Sequence, residues 1–182
     1  MTLIKKIINS ILIIIILLAN VNFSGQPDEY VIKGVLLEKI STFIQWPEND
    51  KDKIKDNEFV VGIIGKHKFA GILKKLYSKR KILNKELVVK NISSNSEINK
   101  CSVIFIPKLN DDELNEILEF VNKKPILTIS DTEGYAEKGV HVNFYTEGSN
   151  IRFEINERSV KESGILMNHL LLSLAKLVEN EK

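Results

Sequence analysis

The chain has 182 residues, 43% of them hydrophobic, with 26 basic and 24 acidic residues and one cysteine. The first 24 residues hold two lysines and no acid, so the remainder balances 24 basic against 24 acidic residues. That neutrality argues against a nucleic-acid or anionic-lipid surface, and one thiol cannot close an intrachain disulfide.

Lys5 and Lys6 precede an apolar run from Ile11 to Leu18. A charged start followed by a short greasy segment has the form of a secretory signal. A spanning helix needs roughly 20 apolar residues, and Asn20 and Asn22 end this run sooner. The expectation is a signal peptide over 1–24, or an uncleaved N-terminal anchor, followed by a single domain over 25–182. Either form is expected to place the domain outside the reducing cytoplasm, away from ATP, NADH and the genome.

Gln26-Pro27-Asp28-Glu29 opens a helix, with proline in the first turn and acids at the positive end of its dipole. Apolar residues from Tyr30 to Ile44 recur at three- and four-residue steps, and Trp46-Pro47 is expected to stop the helix. A charged loop follows to Asn57. Glu58–Ile64 is a strand buried on both faces, and 69–80 a helix. Residues 87–92 form a second strand, 93–100 a polar loop, and 102–106 a third strand. Cys101, at its edge, reads as a small buried hydrophobe, with an intermolecular bridge or redox role as the alternative.

Asn110 caps a helix to Val121. A strand over 126–129 leads into a loop with Asp131, Gly134 and Tyr135. Residues 140–145 and 150–155 make a hairpin, Asn156 caps a short helix, and one last helix runs from 165 to about 179. The order predicts an α/β fold with a mixed β-sheet of about five to six strands flanked by helices.

Catalytic signals are sparse. Gly62-Ile-Ile-Gly65-Lys66-His67 sits at a strand end but lacks the dinucleotide and P-loop patterns, and reads as an ordinary turn. His67, His141 and His169 have no zinc-ligand spacing, and no nucleophile elbow is present. No metal or cofactor is implied. An exported hydrolase built on Asp131, Glu133, His141 and Cys101 has no visible nucleophile–base pair, so a binding or regulatory module is expected.

Three segments, with the closing stretch after them, resemble one family. Lys33 to Pro47 is similar to its opening helix, which ends in an aromatic-x-x-Trp-Pro signature at Phe43 and Trp46. Ile126 to Gly139 resembles its central strand and loop, with Asp131, Gly134 and Tyr135. Asn143-Phe144 and the Arg152-Phe-Glu154-Ile-Asn156 run resemble its hairpin, and Gly164 to Ala175 its last helix. The chain thus resembles the YfiR-like (HmsC-like) family of periplasmic proteins. The resemblance implies a non-catalytic regulator, usually dimeric, without a cofactor. It also implies a partner, the periplasmic domain of a membrane diguanylate cyclase, which such proteins hold inactive, so that release raises cyclic di-GMP and promotes biofilm. A small-molecule or peptide sensor for another receptor, such as a histidine kinase, is the alternative on the same fold. Cys101 matches a family cysteine but has no second one to pair with, and Lys138-Gly139 stands where many members carry two glycines.

The motif residues have local readings beside the functional one. Trp46 with Pro47 is a helix-end plug or a partner contact. Asp131 caps its loop or meets a ligand. Arg152 and Glu154 share a strand face as a solvated ion pair or a contact, and Asn156 is an N-cap.

Overall fold

The computed structural model describes residues 28–47 and 57–180. The expected leader over 1–24, the helix-opening Pro27 and the charged loop over 48–56 lie outside the described residues. Helix α1 (Glu29–Thr42) begins at Asp28, whose carboxylate accepts the Tyr30 N–H. It ends before Trp46-Pro47, because Ile44–Gln45 forms strand β1. β1 pairs antiparallel with β9 (Leu166–Met167), so the end of the first motif is tied to the last one.

β2 (Glu58–Ile64) leads to α2 (Lys68–Leu76). A hairpin follows, of β3 (Lys81–Ile82) and β4 (Lys85–Ile92). Its turn residues Leu83 and Asn84 both take positive φ, as a tight primed turn demands. β3 has no sequence expectation, since two residues carry no period. The polar loop expected over 93–100 contains α3 (Asn95–Ile98), closed by a Ser94/Glu97 capping box and anchored by the buried Ile98. β5 (Val103–Ile106), α4 (Asp111–Val121) and β6 (Leu127–Ser130) match expectation within a residue or two. So do the hairpin β7 (Val142–Glu147) and β8 (Asn150–Asn156), and α5 (Glu157–Glu162).

The long closing helix is a correction. Residues 165–179 divide into β9, α6 (His169–Leu174, capped by Asn168) and β10 (Lys176–Val178). Helical spacing of leucines is present, but pairing of β9 with β1 and of β10 with β8 satisfies the backbone instead.

The main sheet has eight strands in the order β10-β8-β7-β6-β5-β2-β4-β3, more than expected but mixed as expected. The chain leaves β2 for β4 on one side and β5 for β6 on the other. A crevice therefore opens at the carboxyl ends of β2 and β5, where the direction of winding reverses.

The two faces differ in chemistry. On the first, Phe59, Val61, Ile63, Val103, Phe105, Leu127, Ile129, Val142 and Ile155 form one core with Leu37 and Ile40 of α1 and Phe69 and Leu73 of α2. On the second, Val60, Ile104 and Ile106 pack beneath Leu114, Ile117 and Val121 of α4. There the β2 backbone runs so close to its neighbours that a Cβ at Gly62 would lie 2.8 Å from both Cys101 Sγ and Ile92 Cγ1. Beyond β5 this second face turns polar. Thr128, Ser130, His141, Asn143, Glu154 and Asn156 alternate with the apolar residues of the first core, and all are buried.

Candidate functional site

Two cavities meet at the loop after β6. The larger, about 1130 Å³, opens at the reversal of winding and is bounded by Tyr30 and Lys33 of α1, Gly65 to His67 after β2, Pro107 to Leu109 after β5, and Asp131 to Glu133. Its floor is an ionic cluster. Lys33, on the buried stripe of α1 and only 4% exposed, donates to Asp131 Oδ2 at 2.6 Å and also pairs with Glu29. The Tyr30 hydroxyl donates to the same Asp131 oxygen at 2.7 Å. Burial, followed by this contact with Asp131, raises the Tyr30 phenol above its usual range. Lys33 and Lys68 ammonium groups lie 4.4 and 4.3 Å from the Tyr30 ring centre. The His67 ring lies tilted against Tyr30, 5.1 Å between ring centres, and its Nδ1 accepts the Phe69 N–H at 3.3 Å as the cap of α2. Burial lowers its pKa, so the neutral ring is favoured.

The smaller cavity, about 670 Å³, lies over the polar half of the second face. Asp131, Glu133, Glu137, Asn143, Tyr145, Glu154 and Lys176 line it. Asn143 donates to Glu154 Oε1 at 3.1 Å, and Lys176 reaches Glu154 Oε2 at 3.2 Å. The register explains the row: Ser130 faces Asn143, Asn143 faces Glu154, and Glu154 faces Lys176 across three neighbouring strand pairs. The contact with Glu154 raises the Lys176 pKa.

The structure gathers some motif residues and separates others. Asp131, Gly134 and Glu154 line the smaller cavity, and Asp131 and Tyr135 the larger. Asp131 does not cap its own loop: the Thr132 N–H goes to Ser130 Oγ at 3.2 Å, while Asp131 reaches across to α1. Gly134 takes a positive φ of 79° in the turn that brings Tyr135 inward. The Tyr135 hydroxyl accepts from the Leu109 N–H at 2.8 Å and donates to the Leu109 carbonyl at 3.1 Å, fastening the loop to the end of β5. Arg152 and Glu154 share a face but do not pair. Arg152 reaches Glu147 at 3.3 Å across the hairpin, and Glu154 belongs to Asn143 and Lys176. Asn156 is the N-cap of α5, accepting the Ser159 N–H at 2.9 Å, and it also donates to the Ala136 carbonyl at 2.8 Å.

Phe43 and Trp46 stand at the other end of the molecule. Trp46 packs edge-on against Phe59 at the start of β2, 6.0 Å between ring centres, a plug on the sheet as its local reading predicts. Its indole N–H has no acceptor among the described residues. The Phe43 carbonyl accepts the Asn168 N–H at 2.9 Å, and Gln45 faces Leu166. The helix-end signature therefore adjoins Leu166, and beyond it Leu170, Leu174 and Leu177 are half or more exposed (63, 51, 70 and 50% for the four leucines).

Cys101 is buried, its thiol pushed up to about 11 by desolvation, and its Sγ contacts the Glu97 carbonyl at 3.6 Å. This fits the buried-hydrophobe reading. His141 is buried and driven down to about 4 by desolvation, with Nδ1 accepting the Thr128 N–H at 3.2 Å. Among the described residues, no group of three His, Cys, Asp or Glu side chains could hold a metal ion.

Tyr30, Lys33 and Lys176 are participants that sequence reasoning passes over. Lys33 had a readable signal, a lysine on the stripe shared by Tyr30, Leu37 and Ile40. Lys176 had none, because its place depends on β10 being a strand.

The model of a family described as YfiR/HmsC-like matches residues 30–176. Among curated proteins, none matches this sequence. A conserved domain protein from Vibrio cholerae is similar in structure, with 12% identity, coverage of 82% of this chain and 60% of that one, and a TM-score of 0.50. An ABC domain in complex with L-Trp from Streptococcus pneumonia matches with 14% identity, 71% of this chain and 58% of that one, and a TM-score of 0.48. The chain spans about three fifths of the length of these two solved structures. At 12% identity the likeness to the Vibrio cholerae protein concerns the fold alone.

Proposed function

This chain belongs to the YfiR/HmsC-like family, and on that premise we propose that it is a non-catalytic periplasmic repressor of a membrane diguanylate cyclase. The family is one of periplasmic, non-catalytic regulators of cyclic di-GMP signalling. The match over residues 30–176 is the observation that carries the reading. In this reading the leader over 1–24 exports the chain or anchors it at the membrane, and the domain works as a homodimer.

The contact surface proposed for the cyclase is the strip from Trp46 through Leu166 onto Leu170 and Leu174. Two features support it. Leu170 and Leu174 fall four residues apart on one helix face, and both are more than half exposed. Contiguous exposed apolar side chains are the surface character of association sites. The other motif residues, Asp131, Gly134, Tyr135, Arg152, Glu154 and Asn156, belong to the loop and hairpin around the two cavities, away from this surface, and are proposed to hold that end of the domain in shape or to meet a ligand.

A photo-crosslinker placed at Leu170 in living cells tests the proposal. It is expected to capture a membrane protein with a periplasmic domain and a cytoplasmic cyclase domain. Capture of cytosolic proteins alone would overturn it.

One observation favours the second reading, a sensor domain for another receptor: the 1130 Å³ cleft lies where α/β sheets commonly receive ligands. In that case a ligand is expected to raise Tm while cyclic di-GMP stays constant on deletion of the gene.

A further inference from the structure

We propose that the 670 Å³ cavity over the polar half of the second sheet face binds an organic amine with two or more positive charges, a linear diamine or polyamine. This does not depend on the signalling partner.

The charges on the cavity wall are unequal. Asp131, Glu133, Glu137 and Glu154 face a single lining cation, Lys176. Asp131 is matched from beneath by Lys33, and Glu154 by Lys176. Glu133 and Glu137 remain as an excess of two carboxylates.

An independent feature points the same way. Asn143 is 1% exposed, and its amide nitrogen is committed to Glu154. Its Oδ1 is buried with no donor among the described residues, and a buried acceptor left open is costly. A protonated amine has donors and no acceptor, so it complements the carboxylates and this oxygen together.

Lys176 already displays the chemistry. Its ammonium sits on Glu154 and 5.9 Å from the Tyr145 ring centre. With a side chain 57% exposed, it is free to swing out when a ligand amine takes its place. A chelated metal ion fits less well. Among the described residues no three carboxylate, thiol or imidazole side chains converge on one point, whereas a polyamine carries its charges spaced along a chain. The volume also lies within the ordinary range for small-molecule sites.

Titration calorimetry on the protein, purified from cells as it occurs there, tests this with spermidine, putrescine and magnesium chloride at fixed ionic strength. Spermidine is expected to give saturable heat and to bind more tightly than putrescine, with no saturation by magnesium. Each lost carboxylate is expected to weaken binding about tenfold, so the Glu133→Gln/Glu137→Gln double variant falls on the order of 100-fold while its unliganded Tm is unchanged. Lys176→Met, which removes the competing ammonium, is expected to bind spermidine about tenfold more tightly. Absence of saturable heat, an equal response to magnesium, or unchanged affinity in both variants would overturn the proposal.

Discussion

Lys33 and Asp131 meet at 2.6 Å across 98 residues of sequence, joining the first turns of α1 to the loop after β6. Lys33 is nearly excluded from water, and Asp131 is 12% exposed at its side chain. Removing one member of a buried pair strands the other charge. Asp131→Ala leaves the buried Lys33 with only the half-exposed Glu29 and is expected to lower stability by about 3 kcal/mol in urea denaturation. Lys33→Met should cost less, because Tyr30 still donates to Asp131. The double variant should lose less than the sum of the two, whereas additivity within about 0.5 kcal/mol would mean the pair does not couple.

His141 gives the fold a pH dependence. Its folded pKa of about 4 lies below the ordinary 6.5 because burial disfavours the charged ring. The unfolded chain then binds more protons between those values, so stability rises with pH through that window. It is fully retained above about pH 7 and falls by roughly 3 kcal/mol as the solution is taken to pH 4. Lowered in the same direction, His67 adds to the slope. His141→Asn, which keeps an acceptor for the Thr128 N–H, should flatten the curve of Tm against pH. An unchanged curve would remove His141 as its source.

At Gly62 the β2 backbone leaves no room for a methyl group between Cys101 and Ile92. Overpacking of this kind costs about 1–3 kcal/mol, so Gly62→Ala is expected to lower the urea midpoint, with part of the loss recovered in Gly62→Ala/Cys101→Ala. The same burial predicts that Cys101 stays unmodified by thiol reagents at pH 8 until the protein is unfolded, as mass spectrometry would detect. Rapid labelling of the native protein would contradict the packing.

Most of the core was legible in the sequence because burial leaves a local mark: Phe59 to Ile64 and Val103 to Ile106 are unbroken apolar runs of strands covered on both faces, and the stripe of α4 shows helical spacing. The closing segment misleads for a physical reason. Leu166, Leu170 and Leu174 carry helical spacing, yet β1 and β8 offer backbone partners that no local pattern reveals. The motif residues Asp131, Tyr135 and Asn156 could be singled out, but not their tasks, since each bonds to an element distant in sequence. Glu154 reads as the mate of Arg152 until strand register assigns it to Asn143 and Lys176 instead.

The exposed leucines of α6 separate stability from association. Leu170→Glu/Leu174→Glu alters side chains that are mostly in water, so Tm should stay near that of the parent protein, surface changes being commonly within about 0.5 kcal/mol. Co-purification with solubilised membranes should fail for this variant. Retained co-purification would move the contact surface elsewhere.

Cyclic di-GMP, measured in cells lacking the gene and in the same cells carrying either the parent gene or the Leu170→Glu/Leu174→Glu variant, tests repression most directly. Repression through the α6 leucines predicts a rise on deletion, return to the starting level with the parent gene, and no return with the variant. A cyclic di-GMP level indifferent to deletion would contradict it.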